Sequence, residues 1–319
     1  MPYSETTLKA IPNDQAGVFL LSLDCEGLWG MADSPRTVDS GVINDASLAD
    51  AYDFILATLT KNGLTATAAF VTAFAVERES LQECIHEIRE LARLNPTWFR
   101  CIMRALETGS MNGWRGVKLH DSFAMSGMEM AWHGATHLPL SDETSVESVT
   151  LELEIACRLF DALDYRPRTI IFPRNEIGHL DLLRKAGFEN FRESPGKGIA
   201  NRVLALVSEL NVASKCSHET PLLACREWGA AAAGSFLNWP SGMRRLIPIS
   251  ITTQRWKSIL MDAATHGGIA HMWFHPHNLI TAPAMRLSFE EIIRFAGQLV
   301  KSGDLQNLTI AECLRRSPL

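Results

Sequence analysis

Short apolar runs alternate along the chain with stretches in which apolar residues recur every three to four positions. Residues 17–23 (GVFLLSL) form a mostly apolar run, the pattern of a buried strand, and it stops at Asp24. Residues 47–59 have helical period, 64–72 (LTATAAFVT) form a second β-rich run, and 77–94 are charged and helix-favouring. The segment from there to about 128 is less regular. A short run at 128–132 is followed by an amphipathic helix over 143–163, a strand at 169–172 and a helix at 180–186 closed by Gly187. A strand at 269–274, a helix at 288–300 and a last short strand at 308–310 complete the pattern. Strands alternating with helices imply parallel β-α units and an α/β fold, as a closed barrel or an open sheet. With no internal repeat, low-complexity tract or linker, residues 1–319 read as a single catalytic domain with a helical insert at about 77–128. The insert carries Trp98 and Trp114, as a lid, as a wall of the cleft, or as an added packing layer.

Composition narrows the classes. The 319 residues are 46% hydrophobic and 21% charged, with a net charge of −6, enough for a sizeable core and wrong for phosphate-rich nucleic acid. Arg244-Arg245 and Arg315-Arg316 are isolated basic pairs, not a basic patch. Residues 1–14 are polar and partly acidic, unlike a signal peptide, and no run approaches the ~20 apolar residues of a membrane span. Seven scattered cysteines with no C-x-x-C fit free thiols in a reducing compartment. The expected location is the cytoplasm.

In α/β folds the chemistry gathers where strands end. Asp24 and Glu26 follow the first strand, His133 follows 128–132, Arg174 follows 169–172 and His275 follows 269–274. His133 and His137 are four apart with small residues between, so both can ligate one ion. Asp24 and Glu26 share a face if the strand continues, or diverge in a turn begun by Gly27. One acid beside two imidazoles makes a three-ligand site with open positions, as in catalytic zinc, and leaves the other acid as general base. The same donors describe the facial triad of non-heme iron oxygenases; the spare acid and His275, a suitable proton donor, favour hydrolysis. Arg174, in FPRN, either keeps the base carboxylate ionised or forms a structural pair. His271 and His277 read as core or rim histidines. Trp239, Trp273 and Asn175 read as substrate-binding, with packing the alternative for Trp273. Trp239, Arg244 and Arg245 fall in a rim segment, 234–250, whose arginines suit a nucleotide or lipid-linked phosphate.

From about residue 18 to residue 312 the chain resembles the polysaccharide deacetylase superfamily, the NodB-homology or carbohydrate esterase family 4 proteins. The likeness is carried by GLTATAAFV (63–71), GMEMAWHGATHLPLS (127–141), FPRNEIG (172–178) before LLRKAGF (182–188), WFHPHNL (273–279) and NLTIAEC (307–313). The resemblance implies a distorted (β/α) barrel of about seven strands and metal-dependent removal of an acyl group from an amino sugar. It makes Asp24 the base, Glu26, His133 and His137 the ligands of a divalent metal, most simply zinc, Arg174 the residue that steadies Asp24, and His275 the acid. Two departures stand out: Cys25 separates two acids that the common pattern has adjacent, and the Arg/Pro order is altered. The expected substrate is an N-acylated amino sugar, nucleotide- or lipid-linked, in the making of a surface polysaccharide such as the O-antigen of lipopolysaccharide. The alternatives are hydrolysis of another C–N bond, ureido or cyclic amide as in an allantoinase, and a non-catalytic sugar-binding protein.

Overall fold

The computed structural model describes residues 16–194, 209–217, 228–238, 240 and 242–316. Nine strands are found among them: β1 (Gly17–Cys25), β2 (Thr67–Phe70), β3 (Glu129–Trp132), β4 (Thr169–Ile170), β5 (Asn190–Arg192), β6 (Gly229–Ala231), β7 (Ser235–Phe236), β8 (Ile269–Phe274) and β9 (Leu305–Leu308). All pair in parallel, in the order β6-β5-β4-β3-β2-β1-β8-β7, with β9 on β1. One edge of β1 is taken by β8, from Val18↔Ile269 to Leu23↔Phe274. The other is divided: β9 pairs with Gly17 to Leu20 and β2 with Ser22 to Cys25. The two outermost strands, β6 and β7, are joined by residues 232–234 alone, so one extended run passes from β5 to β8 and curls the sheet towards closure. Taken as one run, with β9 as a short addition, they leave the seven strands expected of a distorted (β/α) barrel.

The two faces of β1 differ. Phe19, Leu21, Leu23 and Cys25 belong to the main hydrophobic cluster, with Leu48, Ile55 and Leu59 of the helix Asp45–Asn62 and Phe289 and Ile293 of the helix Met285–Ser302. The intervening Ser22 and Asp24 point into the barrel. There, level with Asp24, β2 and β3 contribute the small side chains of Ala69 and Ala131, and β6 that of Ala231. These small side chains leave room for the polar groups of β1, β5 and β8.

One expectation gains detail here and another is corrected. The segment after residue 94, less regular in pattern but inside the expected helical insert, holds the helices Pro96–Thr108 and Val117–Met125. The first starts with Pro96 in its first turn and buries Phe99, Ile102 and Ala105, spaced three apart on one face. The last strand lies at Leu305–Leu308, because Thr309 and Glu312 form a reciprocal cap (Glu312 Oε2 accepts from Thr309 N at 2.9 Å, Thr309 Oγ1 from Glu312 N at 3.3 Å) that starts the helix Ile310–Arg316.

Candidate active site

The acids stand where β1 ends. The strand outlasts its apolar run by two residues, with Asp24 opposite Ala69 and Cys25 opposite Phe70. Cys25 turns into the outer core, where burial pushes its thiol well up. Glu26, just beyond the strand, returns to Asp24's side and is buried. Gly27, with φ +50°, opens the 3-10 turn Gly27–Met31. Within that turn a Cβ on Gly30 would lie 2.0 Å from Glu26 Oε1, so only glycine leaves the carboxylate its place.

The two histidines meet Glu26 from β3. The His133 amide donates to Phe70 O (3.0 Å), and its Nδ1 donates to Ile171 O at 2.7 Å. A carbonyl can only accept, so in the neutral ring Nε2 carries a lone pair, and it faces Glu26 Oε2 at 3.3 Å. His137 Nε2 lies 2.7 Å from the same oxygen. Both its ring nitrogens are buried without a hydrogen-bond partner, so the contact is off the hydrogen-bonding direction. Burial lowers the pKa of His137, against the pull of the Glu26 charge. Burial also raises Glu26, but His137, His275 and His133 more than offset it and hold the carboxyl well below its usual range. A carboxylate facing two imidazole acceptors is the donor set of a divalent cation, and these ligand atoms lie within 4.8 Å of one another. The residues fit the ion that the resemblance implies.

Asp24 is held from below. Arg192, at the end of β5, donates from Nη1 to Oδ1 (2.8 Å) and from Nη2 to Oδ2 (2.9 Å), with both side chains almost wholly buried. Burial raises the Asp24 pKa, but Arg192, His133 and His275 together carry it below its ordinary value. Arg192 is itself fixed: it donates to Ser22 Oγ (3.0 Å) and Asn175 Oδ1 (2.8 Å), and lies 4.7 Å over the Trp273 ring. Ser22 in turn donates to His271 Nε2 (2.9 Å), whose Nδ1 donates to Ala232 O (2.7 Å). Burial and Arg192 depress His271 to about 4, which keeps it neutral and the chain of donors consistent. His275, a quarter exposed, places Nε2 3.7 Å from Asp24 Oδ2 and 3.9 Å from Glu26 Oε1, at the open side of both acids. His277 is buried with Nδ1 3.7 Å from Glu26 Oε1, and burial lowers it to about 4.

The structure thus brings together Asp24, Glu26, His133, His137 and His275. It does not bring Arg174 to Asp24. Arg174 (φ +58°) and Asn175 (φ +53°) are both left-handed, which swings the Arg174 guanidinium outward to Asp33 Oδ1 (2.8 Å) and to a point 4.9 Å over Trp98. Asn175 turns inward and holds Arg192. Asn175 and Trp273 therefore both meet the guanidinium of Arg192. Trp239 lies outside the described residues. Arg244 is engaged by Glu209 at 2.7 and 2.9 Å. Of the insert's tryptophans, Trp98 stacks on His137 (ring centroids 5.9 Å apart, 19°), while Trp114 is core, its carbonyl accepting from Trp29 Nε1. Sequence reasoning missed Arg192, because β5 is three residues long and an arginine after Phe191 reads as an exposed position. It also missed Glu152, buried beside the His133–His137 loop, since an acid on an amphipathic helix reads as solvated.

No protein-family profile matches the chain, and no curated protein matches it in sequence. Solved structures do match. A protein from Mycobacterium smegmatis assigned as a polysaccharide deacetylase superposes with a TM-score of 0.55 at 12% identity, covering 96% of this chain and 92% of that one. One from Pseudomonas aeruginosa PAO1 with the same assignment gives 0.53 at 12%, covering 93% and 89%. The allantoinase PuuE gives 0.53 at 11%, covering 93% and 88%. The fold is the one these structures share, a NodB-like distorted (β/α) barrel.

Proposed function

We propose that the protein is a metal-dependent hydrolase that removes an N-acyl group from an amino sugar. One observation carries the reading: a buried carboxylate and two imidazoles converge beside a second carboxylate and a part-exposed histidine, at the ends of β1, β3 and β8. Glu26, His133 and His137 would hold the ion, zinc by donor type, and the ion would supply Lewis acidity, polarising the amide carbonyl and making a water easier to deprotonate. Asp24, kept ionised by Arg192, takes the proton from that water. His275, on the open side, gives a proton to the departing amine nitrogen. Each proton-transfer role is worth roughly 10²–10⁴ in rate. Arg192 replaces Arg174 as the residue that steadies the base.

The substrate we infer is a nucleotide- or lipid-linked precursor of a surface polysaccharide such as O-antigen, handled in the cytoplasm. No helix among the described residues is long and apolar enough to cross a membrane. A second reading, hydrolysis of a ureido or cyclic amide, has the support of the allantoinase likeness. The deciding assay offers zinc-loaded protein a nucleotide-linked N-acetyl amino sugar, finished polysaccharide and allantoin. Acetate release from the first, abolished in Asp24→Asn with zinc retained, is the expected result. Turnover of polymer alone, or of allantoin alone, refutes the substrate, and release undiminished in Asp24→Asn refutes the mechanism.

A further inference from the structure

The loop that carries both histidines depends on a side chain with no part in the chemistry above. Its carbonyls are bonded on one side: Gly134 O accepts from Thr72 N (3.0 Å) and Ala135 O from Ala73 N (2.9 Å). On the other side stands Glu152, of the helix Val146–Leu163, which has no exposed surface. Its Oε1 accepts from Thr136 N (2.8 Å) and its Oε2 from Thr136 Oγ1 (2.6 Å). Burial raises this carboxyl to about 7, against the pull of Thr136 and the amides of Ala135 and Leu138, and no ion pair to it is found among the described residues. A buried acid without a basic partner is costly, and it persists where its acceptor oxygens complete something else. What they complete here is a strained loop. His137 is left-handed at φ +64° and Gly134 has φ +83°, where a Cβ would come within 3.1 Å of Glu152 Oε1.

We propose that Glu152 is a positioning residue for the ion site, its carboxylate gathering the Thr136 amide and hydroxyl so that the loop presents His137 Nε2 to Glu26. The inference rests on the reading of Glu26, His133 and His137 as metal ligands. Buried partners of this kind set how well a ligand is aimed, and losing one weakens metal binding by about 10–100-fold. Glu152→Gln keeps the shape but turns one acceptor oxygen into a donor facing another donor.

Zinc affinity, read by competition with a chromophoric chelator, and the visible absorption spectrum of the cobalt-loaded protein test this without reference to turnover. Glu152→Gln is expected to bind zinc about 10–100-fold more weakly than wild type, with an altered cobalt spectrum. Thr136→Val, which loses only the hydroxyl and answers for the case in which Glu152→Gln does not fold, is expected to bind about 2–10-fold more weakly. Glu154→Gln, exposed on the same helix, is expected to match wild type. Wild-type affinity and an unchanged cobalt spectrum in Thr136→Val or in folded Glu152→Gln overturn the proposal, as does an equal loss in Glu154→Gln. A wild-type protein that binds neither zinc nor cobalt overturns the metal-site reading itself, a distinguishable result.

Discussion

Arg192→Met withdraws the guanidinium from beneath Asp24 while keeping most of the apolar bulk that lies over Trp273. Asp24 and Arg192 have side chains only 2% and 1% exposed, so the remaining carboxylate has no solvent to turn to. Removing one partner of such a pair costs about 3–5 kcal/mol, and Ser22 and Asn175 lose a donor as well. The pH dependence follows from the sign of each shift. In the wild type Asp24 is depressed below 3.8, so the stability it contributes is full above that unfolded value and is lost as pH falls through the folded one. In the variant, burial loses its main opponent and the folded pKa moves above 3.8. The contribution then reverses: it is present below the unfolded value and disappears as pH rises through the folded one. The stability gap is therefore widest near neutrality and narrows in acid. Urea unfolding from about pH 3 to about pH 8 measures it, and the acid limb of kcat/KM should move up in parallel. Asp24→Asn combined with Arg192→Met, which leaves no charge in the barrel at this point, should recover part of the loss. A variant within about 0.5 kcal/mol of wild type at pH 7, or a double variant no more stable than Arg192→Met, refutes the reasoning.

Other consequences can be measured directly. Zinc at 100 times its dissociation constant should stabilise the chelator-treated protein by about 2.7 kcal/mol in thermal unfolding, and Glu26→Gln and His133→Ala should abolish the effect. Gly30→Ala drives the Glu26 carboxylate aside and should weaken zinc binding by about 10–100-fold with little change in helix content by circular dichroism; unchanged affinity would show that Glu26 has another place to go. Arg174→Ala, losing contacts to Asp33, Trp98 and the Gly30 carbonyl but none to Asp24, should keep kcat/KM within about tenfold of wild type, whereas His275→Gln should lower it by about 10²–10⁴ with zinc retained.

Much of the site was legible because parallel sheets place their chemistry at strand ends. Asp24, His133 and His275 each stand at the close of an apolar run; the runs of Asp24 and His275 prove to be adjacent strands, and that of His133 lies one strand further on, beyond β2. What could not be read depends on geometry that sequence spacing leaves open. β5 is too short to show alternation, so nothing marked Arg192 as inward. In FPRN the placement of Arg174 and Asn175 turns on two successive left-handed residues, which ordinary propensity would not assign to an arginine. The last strand lies ahead of its expected place because Thr309 and Glu312, a T-x-x-E pair, cap a helix there. Glu152 was silent for a different reason. Its partners are mainly amides, and a backbone donor leaves no trace in the sequence.

The join between β6 and β7 gives the Asp24–Arg192 pair a second office. Arg192 belongs to β5, on one bank of that join, while Asp24, Ser22 and His271 belong to β1 and β8 on the other, and His271 grips Ala232 within the join itself. Asp24 and Arg192 are thus a bolt across the join in the barrel wall. Gly234 has φ +68°, and a Cβ there would fall 2.6 Å from His271 O. A side chain added at that bend would push on His271 and, through Ser22 and Arg192, on the Asp24 carboxylate.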